Sequence, residues 1–189
     1  MKKAVSLLVV FLFTAVIYAQ NFSWDIMFLK GKPGETVPVN RIIRMETGEE
    51  FLISITTASD CYCYIVCYDT MKEISVLYDN PIKSGNEIFI GPYEVDNPPG
   101  TENFYVIMSL ERLTNLENLI RAFNDNPNSQ QHSNNLYREV VSLQNKAQTL
   151  GEPPSVFIPG GGTSRGGTGE YITRFTDKNF YVRTITIRH

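Results

Sequence analysis

Histidine is scarce in this sequence, and its scarcity argues against several classes of enzyme. The chain of 189 residues contains two histidines, His132 and His189. A Ser-His-Asp or Cys-His catalytic set needs a fixed base within hydrogen-bond reach of its nucleophile. His132 lies in an Asn/Gln-rich stretch and His189 is the last residue printed. We therefore predict no catalytic residues of these classes.

Positive charge is also limited. The chain has 17 Lys and Arg against 20 Asp and Glu, and no basic run. Such a chain has little attraction for phosphate backbones or anionic lipids, so we expect no nucleic-acid partner. The composition excludes collagen, a coiled coil and a disulfide-dense small protein, and it is sufficient for one hydrophobic core.

The first 19 residues have the pattern of a secretory signal peptide. Lys2 and Lys3 precede the apolar run Ala4–Phe13, and the segment ends in the small residue Ala19. We predict a signal peptide at 1–19, cleavage near Ala19 and an extracytoplasmic product, periplasmic or secreted, without stable membrane insertion. The first cysteine is Cys61, which excludes a lipidated cysteine at the cleavage site. A retained N-terminal anchor is the alternative.

Short runs of alternating apolar and polar residues, separated by turn formers, predict antiparallel strands. The predicted strands are Val37–Arg44 (an edge strand), Phe51–Thr57, Asp60–Asp69, Ile74–Tyr78, Glu87–Ile90, Phe104–Leu110 and Phe180–His189. The run Asp60–Asp69 is apolar on both faces, which predicts a strand inside a sheet with the core on one side and a loop or helix on the other. Asp79-Asn80-Pro81 is predicted to end the strand before it.

Two helices are predicted before the last strand. The first begins at Thr114, where Glu117 has the spacing of a capping box, and the second covers Asn135–Leu150. Residues 124–135 and the glycine-rich residues 151–169 are predicted loops. The predicted fold is mainly β: a single antiparallel β-sandwich domain over residues 20–189, with a helical insertion before its closing C-terminal strand.

Three cysteines on one predicted strand suggest a metal site, but their spacing does not. Along a strand, Cys61 and Cys63 are about 6.6 Å apart and Cys67 is farther still, too far to converge on one ion or to form a disulfide within the strand. We predict buried cysteines that act as small apolar side chains, with no metal ligand. A ligand from another strand is what a metal site would need.

The binding candidates are aromatic. Tyr62, Tyr64, Tyr68 and Tyr78 fall on two neighbouring strands of a predicted hairpin, so their phenol rings could line one sheet face and stack against sugars or peptides. Core packing is the alternative role for such rings. Arg165 is a further candidate, because it is the only cation in a long neutral stretch. The glycines around it lack the lysine and helix of a Walker loop, and no cofactor is predicted.

Carboxylates at predicted strand ends leave a hydrolase open as an alternative. Asp60, Asp69, Asp79, Glu49 and Glu50 occupy such positions. A glycosidase needs two carboxylates facing each other across the substrate, a separation that the sequence does not specify. Solvated turn residues are the other explanation of these positions.

Residues 48–113 resemble the bacterial family known as domain of unknown function 4384. The resemblance rests on segments such as Gly48-Glu49-Glu50-Phe51, Asp60-Cys61-Tyr62-Cys63-Tyr64 and Val76-Leu77-Tyr78-Asp79-Asn80, and the ending Tyr181–His189 also looks like that of exported members. Relatives of this domain occur fused to protein kinases or caspase-like proteases. The resemblance therefore implies an accessory or sensing module, and the family has no established catalytic residues to transfer.

Together these features predict a non-enzymatic extracytoplasmic binding or accessory module that contacts a protein or glycan partner in the cell envelope. A hydrolase using strand-end carboxylates and a structural subunit of an envelope assembly are the alternatives.

Overall fold

The structure is a computed structural model, which describes residues 22–31, 34–149, 156–159, 171–177 and 179–189. The predicted signal peptide, residues 1–19, and Arg165 lie outside these residues. In chain order the described elements are β1 (Phe22–Lys30), β2 (Glu35–Val37), β3 (Ile43–Arg44), β4 (Glu50–Thr57), β5 (Cys61–Tyr68), β6 (Ile74–Ile82), β7 (Glu87–Glu94), β8 (Thr101–Ser109), α1 (Thr114–Asp125), α2 (Gln130–Thr149), β9 (Val156–Pro159), β10 (Tyr171–Asp177) and β11 (Phe180–Arg188).

The strands form two sheets that pack face to face. Sheet I has the order β7-β4-β1-β10-β9, with β2 also paired to β1, and sheet II has the order β3-β11-β8-β5-β6. All the pairings are antiparallel except that of β3 with β11. The prediction of a mainly β, sandwich-like fold with a helical insertion is confirmed. Three strands, β9, β10 and β11, follow the helices, where one was predicted.

The core between the sheets follows from the alternation along each strand. In β1, Phe22, Trp24, Ile26 and Phe28 are buried, and the residues between them are partly exposed. Trp24 stacks on Phe175 of β10 with ring centroids 4.6 Å apart. Neither β1 nor β10 is among the strands predicted from the sequence, although both contribute large rings to this core.

A second core lies on the other side of sheet II, under the helices. The buried residues of α1 and α2 that form it are Leu116, Ile120, Phe123, Leu136, Val140 and Leu143. They pack on Tyr64 and Val66 of β5, while the three cysteines of β5 face the core between the sheets. The two apolar faces of this strand therefore contact a sheet and a helical layer, as predicted.

Two predicted loop boundaries are wrong. Helix α2 begins at Gln130, so much of residues 124–135 is helical. A polar side chain caps the start of α2: the Ser129 hydroxyl accepts a hydrogen bond from the backbone N–H of His132 at 3.3 Å, which is an N-cap contact. Within 151–169, β9 is a strand that pairs with β10, and the other residues of that predicted loop lie outside the described ones.

Three predicted strand boundaries are also wrong. Strand β6 continues through Asp79-Asn80-Pro81 to Ile82, and it is the outer strand of its sheet, where a proline is tolerated. Strand β7 extends beyond Ile90 to Glu94. The predicted edge strand Val37–Arg44 is replaced by β2 and β3, which belong to different sheets.

Neither described helix is long and apolar enough to cross a bilayer.

Candidate functional site

A groove of about 510 Å³ lies between α1 and the hairpin formed by β5 and β6. Its lining residues come from the end of the hairpin, the turn before α1 and one side of α1. They are Tyr62, Asp79, Asn80, Pro81, Arg112, Glu117, Ile120, Arg121 and Asn124. Its volume is within the range of small-ligand sites.

The strand side of the groove is set by the register of the hairpin. Tyr62 pairs with Pro81, and Tyr64 pairs with Asp79. Directly paired residues of antiparallel strands project to the same face, so Tyr62, Pro81 and Asp79 lie on the face that also carries the helices. Because β6 has no further strand outside it, Asp79 and Pro81 remain exposed.

The helix side follows from the spacing of residues along α1. Glu117, Ile120, Arg121 and Asn124 recur at intervals of three and four residues, which places them on one side of the helix. Ile120 is buried in the second core and holds the helix against the sheet, whereas Arg121 and Asn124 are exposed. The same side of α1 therefore supplies both a packing anchor and two polar groups of the groove.

A hydrogen-bond network fixes the start of α1 to the sheet. The hydroxyl of Tyr64 donates to Glu117 Oε1 at 2.8 Å and accepts the backbone N–H of Leu113 at 3.2 Å. Arg112 donates from Nε to Glu117 Oε2 at 3.1 Å, and its Nη2 donates to the same oxygen. Glu117 therefore takes its partners from residues on both sides of the groove.

The network also sets the charge of its members. The hydrogen bond from Arg112 lowers the pKa of Glu117, and burial together with the hydrogen bond to Glu117 raises the pKa of Tyr64. Glu117 is thus ionised and Tyr64 neutral near pH 7. The predicted capping box is wrong: no side chain caps α1, which is preceded by Leu113, and Glu117 binds Arg112 and Tyr64 instead.

Arg121 is the cation of the groove that has no fixed partner. Within the described parts of the chain it makes no hydrogen bond or ion pair, although its charge helps to lower the pKa of Glu117. Asp79, on the opposite side, accepts a 3.3 Å hydrogen bond from the neighbouring Asn80 side chain and no other from the described residues. The groove therefore offers both a cation and an anion to a ligand.

The four tyrosine candidates separate in the structure. Tyr62 lines the groove, Tyr64 is buried beneath it, and Tyr68 stacks on Tyr137 of α2 with ring centroids 4.3 Å apart. Tyr78 packs against the core between the sheets. The prediction that Tyr78 could share a face with the others is wrong, because a register shift between Ile65 and Val66 places Tyr78 opposite Ile65.

The cysteines are buried, as predicted, in the core between the sheets. Burial raises the pKa of Cys61 and Cys63, which keeps both thiols protonated and unreactive. The residues that the structure describes contain no group of three or more His, Cys, Asp or Glu side chains that could hold a metal ion.

Several strand-end carboxylates have local partners of the kind found in turns. Asp60 binds Lys83 at 2.8 Å and the backbone N–H of Ser84, and the hydrogen bond from Lys83 lowers its pKa. Glu49 pairs with Lys30 at 3.2 Å, and Asp69 accepts the backbone N–H of Glu73 at 2.7 Å. Asp79 is the member of this set that lines the groove.

Arg112, Arg121 and Asn124 were not predicted from the sequence as site residues. The available signal was the polar stripe Glu117, Arg121 and Asn124 beside the apolar stripe of α1. A polar stripe is typical of any exposed helix side, and only the position of the β5–β6 hairpin shows that this one lines a groove.

No protein family, curated protein or solved structure matches this chain. The resemblance to domain of unknown function 4384 stays a prediction.

Proposed function

We propose that this protein is a non-enzymatic, extracytoplasmic binding module and that the groove between α1 and the β5–β6 hairpin holds its ligand, a component of the cell envelope. The observation that carries the proposal is the groove itself. It combines the aromatic residue Tyr62 with charged and amide side chains that have few partners within the described chain. Ligand sites are concave, and the polar groups that converge on them fix the orientation of the ligand.

The state of Glu117 supports binding over hydrolysis. Two carboxylates, Glu117 and Asp79, line the groove. A glycosidase of the common kind needs one carboxyl group with a raised pKa to protonate the leaving oxygen. Hydrogen bonding from Arg112 lowers the pKa of Glu117, and its oxygens are engaged by Tyr64 and Arg112. These contacts tie Glu117 to β5 and to the turn before α1.

The extracytoplasmic location rests on the predicted signal peptide, and the accessory role agrees with what the family resemblance implies. The envelope component is an inference from location, because a ligand must be present where the exported protein is.

The proposal is tested by titrating the ¹⁵N-labelled protein with fractionated envelope glycans and peptides and following its amide resonances. We expect shifts at Tyr62, Arg121 and Asn124, and their loss in Tyr62→Ala. Met71→Ala is the matched control, because Met71 is 61% exposed and lies in the turn at the other end of the hairpin. The same samples are analysed by mass spectrometry for turnover. Hydrolysis of any fraction, or shifts confined to another surface, would overturn the proposal.

A further inference from the structure

The positively charged donors of the groove are guanidinium groups. An arginine side chain has five N–H donors in a planar fork that matches a carboxylate. Arg112 donates to Glu117 from Nε and Nη2, and these contacts fix the plane of its guanidinium group. The N–H donors of Nη1 have no partner among the described residues. None of the N–H donors of Arg121 binds another described residue. These two side chains therefore favour a ligand with a carboxylate.

The remaining polar side chains of the groove suit hydroxyl groups. Asp79 accepts hydrogen bonds, and Asn80 and Asn124 each both donate and accept. Hydroxyls on adjacent carbons of a sugar ring likewise donate and accept in pairs. All three side chains are exposed, and the one hydrogen bond between them, from Asn80 to Asp79, is long at 3.3 Å. A ligand hydroxyl can replace it at little cost.

The apolar part of the lining is small and close to the polar groups. Tyr62 and Pro81 are direct partners across β5 and β6, so their rings are neighbours on the same face. The flat ring of Tyr62, with the short proline ring and hydrogen-bonding side chains beside it, fits the C–H face of a sugar ring better than a long aliphatic chain.

Strand β6 does not favour an extended peptide at this place. A peptide that adds to a sheet edge relies on a continuous row of backbone donors and acceptors. Pro81 lines the groove and has no N–H to contribute to such a row. An acidic peptide would therefore lose the main-chain contacts that usually hold it.

We propose that the groove binds an acidic sugar, in which a uronic acid carboxylate pairs with Arg121 and the free donors of Arg112, the hydroxyls bind Asp79 and Asn124, and the ring lies against Tyr62. This inference rests on the proposed binding function and names its ligand class. Arg121 is the residue that we expect to determine specificity for the acid.

The test compares three probes by calorimetry and amide shifts: a galacturonic acid trimer, the same trimer as its methyl ester, and a glutamate tripeptide. The ester keeps the ring and hydroxyls and replaces each carboxylate by a neutral methyl ester. We expect the acid trimer to bind about tenfold more tightly than the ester, and Arg121→Gln to weaken its binding about tenfold, because charge-assisted hydrogen bonds are lost. Binding of the acid should weaken with added salt.

Two variants control for the fold and for general charge. Arg121→Lys keeps the charge and should retain part of the affinity. Arg138→Gln removes an exposed arginine beside a separate hollow on α2 and should leave the affinity unchanged.

Equal affinity for acid and ester, or tighter binding of the glutamate tripeptide, would overturn the acidic-sugar inference and leave the groove as a binding site. Absence of binding by all three probes would also overturn it, while the titration with envelope fractions decides separately whether the groove binds anything.

Discussion

Replacing Tyr64 by phenylalanine tests whether the network at the start of α1 is as important as its geometry implies. Tyr64 is 1% exposed, and the change removes only its hydroxyl. That hydroxyl donates to Glu117 at 2.8 Å and accepts from the backbone N–H of Leu113 at 3.2 Å. Both partners lose a contact when the hydroxyl is removed.

The expected loss of stability follows from these two contacts. A hydrogen bond to a charged group contributes about 1.5 to 3 kcal/mol to stability. The lower end applies here, because the Glu117 side chain is 17% exposed and keeps Arg112 as a partner. The N–H of Leu113, left without its acceptor, adds about 1 kcal/mol or less. We therefore expect Tyr64→Phe to lower the free energy of unfolding by about 2 kcal/mol, equivalent to about 4 to 8 °C in Tm for a domain of this size.

The assay is urea unfolding followed by fluorescence of Trp24, the single tryptophan, which is 1% exposed in the core between the sheets. Tyr78→Phe is the matched control. Tyr78 is half-buried and its hydroxyl has no hydrogen-bond partner in the described ranges, so its loss should change stability by less than about 0.5 kcal/mol. If the two variants unfold at the same urea concentration, the network does not hold α1 and the reasoning is refuted.

Three further outcomes follow from burial and packing. The three buried cysteines of β5 should resist a thiol reagent at pH 8 and react fully in urea; rapid labelling of the folded protein would contradict their position in the core. Burial raises the pKa of Glu102 despite the opposing effect of His189, with smaller contributions from Asp69 and Asp96. Protonated Glu102 therefore contributes stability at low pH, and this contribution is lost as the pH rises above about 4.3, the ordinary glutamate pKa. Glu102→Gln should thus gain stability relative to wild type between pH 4 and pH 7 in urea titrations, and a constant difference across that range would exclude this effect. Gly100→Ala should lose about 1 to 3 kcal/mol in the same assay, because the added Cβ would lie 2.2 Å from a methyl of Thr70; unchanged stability would show that this turn can move.

The burial of alternating residues in a strand was predictable, because the two-residue period of the side chains can be read from neighbouring residues alone. Phe51, Ile53 and Ile55 are buried on one face of β4, as the pattern predicts. The two apolar faces of β5 likewise predicted a layer on each side. The N-cap at Ser129 was missed although its contact with His132 is local, because the polar residues around it also fit a loop. The continuation of β6 through Pro81 was missed because an edge position depends on the order of the strands in the sheet.

The sequence by itself determined the β-rich class, the presence of two helices in the second half of the chain and the burial of the cysteines, since these depend on periodicity and composition. Only the tertiary structure decided the groove. Tyr64 and Glu117 are 53 residues apart in the chain, and the contact between them requires α1 to pack on the β5–β6 hairpin. The bulge in that hairpin turns Tyr78 away from the groove and leaves Tyr62 in it. Pairing register and the packing of distant elements depend on the whole chain, so a local pattern cannot specify which polar side chains meet.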